Sequence, residues 1–446
     1  MNLVHQTSPR PYFPEHGDPA FRVERYDLTL DYRIGPNRLA GIARLSAVTN
    51  EPVGRIALDF GAFKVTAVLV DGAPAHYTHR QDKLRVVLPG APLPAETGFA
   101  VEVHYTGNPR PVHSRWGGLG WEQLTDGSLV TSQPIGAPSW FPCNDRPSDK
   151  AVYRISVTTA SPYEVIANGE LIDRSHAAST TTWVYEQAEP MASYLATVQI
   201  GRYRRSGTVA PVPLNLVFPS RIADQVQHDF ARQEQMLAVF TRLFGPYPFT
   251  AYTAVVVGDE LEIPVEAQGI SVFGTNHVDG ARGSERLVAH ELAHQWFGNS
   301  LTLATWRDIW LHEGFAAYAE WLWSEAAGEG AAGDHALRSH RRLAALPQDF
   351  ALADPGVRRL FDDRVYKRGA LTLHALRCRL GDQSFFALLH EWTAAHRHGS
   401  VRTEDFVRLS SRYSPEPLEG FFSPWLCGPA LPSADQIGTT STRVSW

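Results

Sequence analysis

Cysteine is scarce in this sequence: Cys143, Cys378 and Cys427 are the three cysteines among 446 residues. Their number is odd, they are widely spaced, and none has the paired spacing of a zinc–thiolate site. This usage suits a reducing compartment, because disulfides persist mainly in oxidising ones. We therefore expect a cytoplasmic protein.

Long apolar runs and an excess of basic charge are missing as well. A membrane helix needs about 18 consecutive apolar residues, and no such run occurs, so we expect no membrane span. The N-terminus, MNLVHQTSPRPYFPEHGDP, has no basic region followed by an apolar run, so it is not a signal peptide. With 41 Lys and Arg against 47 Asp and Glu, the net charge of −6 gives no reason to expect nucleic acid as a partner.

The first two hundred residues have the pattern of β-sheet. In YDLTLDYRI one face at period two carries Tyr26, Leu28, Leu30, Tyr32 and Ile34. Further short runs follow (FKVTAVLV, KLRVVLPG, FAVEVHYTG, AVYRISVTT and EVIANGELI), and Asn168-Gly169 in the last run predicts a hairpin. No convincing helical period occurs before about residue 220. An all-β domain is therefore predicted over residues 1–207.

The pattern changes in the second half of the chain. Apolar residues recur at helical spacing from Ile222 to Phe244, and Gly245-Pro246 ends that segment. A strand-like TAVVV follows, and ERLVAHELAHQWF, DIWLHEGFAAYAEWLWSEAA and YKRGALTLHALRCRLG are helical in period. The sequence thus predicts an α+β protein whose second domain, residues 208–446, is α-rich with a small sheet.

The stretch VAHELAHQWFGNS contains two histidines four residues apart. In a helix, His290 and His294 lie on one face and can direct imidazole nitrogens at one ion. Glu291 sits next to that face, where it can hold and deprotonate a water at the metal. Taken alone, the motif can also occur on a helix that carries two surface histidines.

A third ligand is needed, because catalytic zinc commonly takes three protein ligands and one water. Eighteen residues separate His294 from Glu313, enough for a loop and a second helix that returns Glu313 to the same ion. Glu320 follows seven residues later on the same helix face. It is either the carboxylate that orients a ligand histidine or a solvated charge on the helix surface.

These segments resemble a known family. HELAHQWFGN followed by W-x-D-x-W-L-x-E-G-F-A is similar to the zinc aminopeptidases of the alanyl, puromycin-sensitive and leukotriene-hydrolase type. WFPCNDRPSDKAVY also resembles that family, and the likeness extends from about Tyr26 to about Pro432. It implies a saddle-like β domain before a thermolysin-like catalytic domain. It also implies one zinc ion per chain, held by His290, His294 and Glu313, with Glu291 as the general base.

The resemblance extends to recognition of the substrate's amino end. The family's G-x-M-E-N segment matches IPVEA here, where the glutamate survives as Glu266 and Gly269 follows closely. Gln133 matches a second group near the substrate amine. Ile263 and Ala267 depart from the family pattern, so the resemblance implies weaker amine recognition. Outside the resemblance, Glu266 reads as a plain strand glutamate and Gln133 as a loop amide.

A further electrophilic group is implied by the segment Tyr366-Lys367-Arg368-Gly369, which resembles the family's Y-x-K-G. Tyr366, expected just before a helix, would donate to the oxyanion of the transition state. On its own it reads as a packing residue. His312, one position before Glu313, is not expected to be a ligand, and Asp308 is expected to begin the helix.

Together these features predict an aminopeptidase acting on peptides with a free N-terminus. The alternatives are a zinc endopeptidase with the same site and a non-catalytic scaffold, with epoxide hydrolysis more remote. The chain lacks the family's large C-terminal helical domain, so we expect either an open-cleft monomer or a homo-oligomer. The preferred first residue of the substrate does not follow from the sequence.

Overall fold

The computed structural model describes residues 11–90, 92–209 and 211–438. Residues 1–10, 91, 210 and 439–446 lie outside the described residues. They include part of the N-terminal stretch to which the signal-peptide prediction applies. Contacts within the chain form two compact units. The β unit comprises Pro14–Val226 and Phe249–Val278; the helical unit comprises Gln227–Pro248, Asp279–Trp446 and Met1–Phe13, as far as these are described. The predicted domain boundary after residue 207 stays a prediction.

The strands of the β unit follow one another with short connections over most of its length. In chain order they are β1 Phe21–Arg33, β2 Arg38–Thr49, β3 Arg55–Asp59, β4 Lys64–Val70, β5 Ala73–Pro74, β6 Tyr77–Arg80, β7 Lys83–Val87, β8 Gly98–Gly107, β9 Val112–Ser114, β10 Gly117–Leu124, β11 Gly127–Thr131, β12 Lys150–Ala160, β13 Glu164–Ala167, β14 Glu170–Ala177, β15 Thr180–Ala192, β16 Val198–Gly201, β17 Tyr203–Thr208, β18 Leu214–Pro219, β19 Tyr252–Val256, β20 Val265–Ala267 and β21 Ile270–Phe273.

The largest sheet of the β unit has eight strands in the order β14-β15-β12-β1-β2-β8-β4-β5. Strand β1 pairs in parallel with β12 and antiparallel with β2. The period-two pattern holds along β1, where Tyr26, Leu28, Leu30 and Tyr32 are buried and most of the residues between them face outwards. The alternation read from the sequence therefore identifies the buried face of this sheet.

The hairpin predicted at Asn168-Gly169 is wrong. Strand β13 pairs with β16, whereas β14 pairs with β15, so the turn leads the chain from one sheet into another. Asn168 is fully buried, and its Nδ2 donates to the carbonyls of Leu195 at 3.1 Å and Gln268 at 2.9 Å. These distant partners hold the turn, and Gly169 supplies its left-handed residue with φ of 88°.

A second, five-stranded sheet of the β unit has the order β17-β18-β19-β21-β20 and leaves β20 at its edge. Its apolar residues, among them Val217, Val255 and Ile270, cluster with Leu124 of β10 and Ile166 of β13. Between β20 and β21 the chain turns tightly, and Gly269 has a φ of 74° that favours glycine. This turn fixes the short strand on which Glu266 lies.

The helical unit is formed largely by helices, as the 3.6-residue period predicts. The helices and remaining short strands are α1 Ala223–Asp229, which begins in the β unit, and α2 Gln233–Phe244, α3 Glu285–Ala293, β22 Thr302–Leu303, α4 Trp310–Ala326, α5 Ala332–Ala344, α6 Asp363–Leu380, α7 Asp382–Ala395, β23 Ser400–Val401, α8 Thr403–Ser410 and α9 Glu419–Phe422. Within the described ranges, none of these helices has the length and apolar character needed to cross a membrane.

Helix α4 is the centre of the helical unit and is buried along almost its whole length. It packs on α3 and on α6. The contact with α6 is made backbone to backbone at two glycines: a Cβ atom on Gly369 would lie 2.6 Å from the Cα of Gly314. Any larger side chain at this crossing would push the two helices apart, because backbone atoms cannot give way as a flexible side chain can.

We expect Gly369→Ala to lower the free energy of unfolding by about 1–3 kcal/mol, the usual cost of overpacking. Chemical denaturation followed by circular dichroism measures this change. Gly420→Ala is the matched control, because Gly420 lies in α9 with no heavy atom within 4 Å of the added Cβ. Equal unfolding free energies for the two variants would contradict the close crossing of α4 and α6.

Candidate metal centre

Helix α3 presents the two histidines as the spacing predicts. His290 lies in its last turn, and His294 follows its last residue with a helical backbone, at φ −57° and ψ −22°. The two imidazole rings have their centroids 4.8 Å apart. Both side chains are buried, His290 with 7% and His294 with 1% of its surface exposed. They are therefore core histidines and not the surface pair that the motif alone allowed.

Glu313 of α4 reaches the same place. Its Oε2 lies 3.5 Å from Nε2 of His290 and 3.5 Å from Nε2 of His294. The ligand atoms of the three residues all lie within 4.8 Å of one another, and the three side chains are buried. Two imidazoles and one carboxylate at this separation form the donor set typical of a catalytic zinc site.

The tautomers of the two histidines fit a metal ion. Nδ1 of His294 lies 3.0 Å from the carbonyl oxygen of Phe297, which can only accept, so Nδ1 carries the proton. Nδ1 of His290 lies 2.7 Å from Oε1 of Glu320, again an acceptor when ionised. When each imidazole is neutral, its Nε2 therefore carries the lone pair on the side where Glu313 lies.

The electrostatics of this cluster favour a positive charge. Burial lowers the pKa of His290, but hydrogen bonds with the carboxylates of Glu313 and Glu320 outweigh burial and raise that pKa to about 9. Burial would raise the pKa of Glu313, yet the two imidazoles hold it far below its usual range. A buried carboxylate that stays ionised beside two imidazoles is suited to a cation.

Glu320 is buried, with 3% of its surface exposed, so the alternative of a solvated helix charge is excluded by its position. Its Oε2 contacts two cations that were not expected from the sequence to be partners of Glu320. Arg286 Nη1 lies at 2.7 Å and Lys367 Nζ at 3.6 Å. Arg286 stands four residues before His290, and that helical spacing is the signal that could have identified it.

Two further predicted residues lie in the helical unit. Glu291, directly after His290, is buried with 4% of its surface exposed. The ring of Tyr366 lies 6.0 Å from the ring of His290 and nearly parallel to it. The expectation that Tyr366 precedes its helix is wrong, because α6 already begins at Asp363. Asp362 caps it there by accepting a bond from the backbone N–H of Arg364 at 3.0 Å.

Arg368, which follows closely after Tyr366, has a structural role that its charge alone did not suggest. Its guanidinium donates to the carbonyls of Trp425 at 3.0 Å, Gly428 at 2.6 Å and Pro429 at 2.8 Å. Burial lowers its pKa to about 10. These bonds fasten the segment after α9 to α6, close in sequence to Tyr366.

His312 and Asp308 bond to neighbouring segments, and Asp308 lies just before α4, which begins at Trp310. Nε2 of His312 accepts the backbone N–H of Leu303 at 2.8 Å. Asp308 accepts from the hydroxyl and the backbone N–H of Thr403, at 2.6 Å and 3.1 Å. Burial raises the pKa of Asp308 to about 6. Asp308 thus ties the start of α4 to the start of α8.

The residues predicted to recognise the substrate lie in the β unit. Glu266 of β20 is buried with 6% exposed, and Gln133 Nε2 donates to its Oε1 at 2.6 Å. The structure therefore brings these two residues together across 132 intervening positions. Gly269 lies in the turn that follows β20. Direct bonding between the amide and the carboxylate was not predicted from the sequence.

Known protein families match both parts of the chain. The Peptidase M1 N-terminal domain matches residues 22–195, and the Peptidase family M1 domain matches residues 229–425. The crystal structure of an M1 zinc metallopeptidase from Deinococcus radiodurans is 30% identical, with a TM-score of 0.88, over 95% of this chain and 98% of that one. A mutant of the Deinococcus radiodurans enzyme bound to a Tyr-Ser-Ala substrate is 28% identical, with a TM-score of 0.88, over 96% and 99% of the two chains.

Among curated proteins, Aminopeptidase M1-A of Oryza sativa subsp. japonica is 25% identical over 325 residues. That match covers 67% of this chain and 36% of the rice protein, so the chain spans about a third of that relative's length. The fold and the site define a zinc metallopeptidase. The chain belongs to peptidase family M1. The predicted α+β class, with a β-rich domain before an α-rich catalytic domain, and the predicted zinc cofactor are thereby confirmed.

Proposed function

We propose that this chain is an aminopeptidase that removes the N-terminal residue from peptides. The observation that carries the proposal is the buried carboxylate of Glu266, which lies on an edge strand and accepts a bond from Gln133. A buried carboxylate pairs well with an ammonium group, and an edge strand can bind a substrate backbone by adding it to the sheet. Relatives named aminopeptidases and a relative bound to a tripeptide support this assignment.

The residues that would hold the zinc ion are His290, His294 and Glu313, whose ligand atoms converge within 4.8 Å. When bound there, zinc acts as a Lewis acid that polarises the substrate carbonyl and makes water more acidic. Glu320 holds His290 in the required tautomer through the 2.7 Å contact with Nδ1. The arrangement of these four residues lies wholly within the helical unit.

The chain's own residues then account for the proton movements. Glu291 takes a proton from the water that attacks the carbonyl carbon, and later gives it to the nitrogen that leaves as the C–N bond breaks. Tyr366 donates its phenolic O–H to the carbonyl oxygen as negative charge develops there. Glu266 pairs with the substrate's ammonium, helped by Gln133, so that the first peptide bond is the one cleaved. Gly269 shapes the turn beside β20.

The cellular setting completes the proposal. We propose a cytoplasmic enzyme whose partners are peptides with a free N-terminus, supported by the small number of cysteines. Light scattering of the purified chain distinguishes a monomer from a homo-oligomer.

We expect Glu291→Gln to lower kcat on an aminoacyl chromogenic substrate by about 10²–10⁴-fold, because the amide cannot take up a proton.

Tyr366→Phe is expected to lower kcat on the same substrate by about 10²-fold, the effect of losing one donor to an oxyanion. Tyr413→Phe is the control, since this partly buried phenol donates to Glu391 of α7. Zinc content is measured for each variant. Near-normal turnover in the first or second variant rejects that residue's role.

Amine recognition is tested with pairs of peptides that differ only in N-terminal acetylation. Loss of a bond to a charged group costs about 1.5–3 kcal/mol, so Glu266→Ala is expected to lower kcat/KM on free peptides roughly 10- to 100-fold. Activity on acetylated peptides is expected to be low in the parent and to change little in the variant. Glu262→Ala, an exposed acid four residues earlier, serves as the control. An equal loss on both kinds of peptide contradicts amine recognition, and efficient cleavage of blocked peptides favours an endopeptidase.

A further inference from the structure

The carboxylate of Glu320 has two distinct sides. Its Oε1 lies 2.7 Å from Nδ1 of His290, and its Oε2 lies 2.7 Å from Nη1 of Arg286. Nζ of Lys367 lies 3.6 Å from the same Oε2. Oε1 therefore bonds to the histidine of the metal centre, and Oε2 contacts two cations.

These contacts connect three helices at one buried group. Arg286 lies on α3 one turn before His290, Glu320 lies on α4 seven residues after Glu313, and Lys367 lies on α6 directly after Tyr366. The carboxylate side chain is 2% exposed, whereas the side chains of Arg286 and Lys367 are 58% and 22% exposed. The two cations thus reach from solvent onto a carboxylate that the core has removed from water.

The electrostatic effect of the cations on Glu320 is favourable. A charged carboxylate is poorly solvated in the core, and the contacts of its Oε2 with Arg286 and Lys367 offset that cost. Without a partner on Oε2, this oxygen is buried without an ionic contact, and the carboxylate is free to rotate away from His290.

We propose that Arg286 and Lys367 are positioning residues of the metal centre, which hold the carboxylate of Glu320 in its orientation so that His290 keeps its Nε2 directed at the ion. The proposal rests on the zinc ligands of the proposed function, but it does not depend on which peptide bond is cleaved. Neither cation touches the ligand atoms; each acts through Glu320. Arg286 makes the shorter and more directional contact, so its loss is expected to have the larger effect.

Charge repulsion between the cations and the zinc ion predicts the opposite change in zinc affinity, so the two explanations can be distinguished. Removing a cation near a divalent ion reduces repulsion, so charge alone predicts that zinc binds more tightly in Arg286→Met. The Arg286 side chain is more than half exposed, and solvent and salt screen its repulsion. Its contact with the buried Oε2 is screened much less. We therefore expect the loss of positioning to outweigh the loss of repulsion.

The test is the zinc dissociation constant of the full chain, measured by competition with a chromogenic chelator. Loss of an outer group that supports a ligand commonly weakens metal binding about 10- to 100-fold. We expect about 10-fold weaker zinc binding in Arg286→Met and a smaller loss in Lys367→Met. In the double variant, the loss of binding free energy is expected to exceed the sum of the two single losses. Either cation alone still partly holds the carboxylate, so the two effects are coupled.

Two controls separate positioning from folding. Arg286→Lys keeps a cation at this position and is expected to restore most of the affinity lost in Arg286→Met. Arg341→Met removes an exposed arginine of α5 for which the described residues provide no ion pair, and it is expected to leave zinc affinity unchanged. Thermal denaturation of the metal-free proteins checks that each variant is folded at the temperature of the zinc titration.

The outcomes distinguish this inference from the proposed function. Unchanged or tighter zinc binding in both Arg286→Met and the double variant overturns the positioning role, while the zinc ligands and the peptidase assignment stand. Equal losses in Arg286→Lys and Arg286→Met also overturn it. Failure of the parent protein to bind zinc overturns the proposed function and this inference together. Weaker zinc binding with rescue by lysine supports the role, whatever the activity on peptides.

Discussion

Burial of charge beside α3 is the constraint on which the centre of the helical unit depends. Glu313 and Glu320 are almost completely removed from water, with 2% and 3% of their surfaces exposed. An isolated carboxylate in such a position costs several kcal/mol unless opposite charge or hydrogen bonds offset it. The two carboxylates share His290 between them, and His294 adds a further imidazole to Glu313. The packing of α4 against α3 is therefore also an electrostatic arrangement.

The glycine crossing of α4 and α6 bears on the same centre. Gly314 directly follows Glu313, and Gly369 lies three residues after Tyr366. The close approach of the two backbones thus sets the position of a metal-binding carboxylate on one helix and of a tyrosine on the other. Arg368 fastens the same part of α6 to the segment that follows α9 through carbonyl bonds. The same few turns of α3, α4 and α6 are therefore held by close packing, by hydrogen bonds and by ion pairs.

Much of this centre could be predicted because its geometry is local. Helical spacing of four residues places His290 and His294 on one face whatever surrounds them, and the eighteen-residue separation leaves room for Glu313 to return. The alternation along β1 likewise predicts its buried face. Features that depend on distant partners could not be read in this way. The turn at Asn168 resembles a hairpin locally, but its buried amide bonds to carbonyls far along the chain.

The same limit applies to the residues around the metal centre. Exposed arginines and lysines are common on helices, and the sequence does not say which of them reaches Glu320, because that depends on how α3, α4 and α6 cross. The hydrogen bond between Gln133 and Glu266 similarly depends on the arrangement of separate strands in the β unit. The apolar period places the start of α6 too late, because the first turn of this helix is polar and the apolar period begins only after it. Its cap, Asp362, is the local signal that indicates the true start.

The central claim is that two imidazoles and one carboxylate of the helical unit hold a single zinc ion. X-ray absorption at the zinc edge, together with metal analysis of the purified chain, tests it most directly. We expect one zinc per chain with only nitrogen and oxygen neighbours at about 2.0–2.2 Å. Sulfur neighbours at about 2.3 Å, which would require Cys143, Cys378 or Cys427 as ligands, or a protein without stoichiometric zinc after loading, would contradict it.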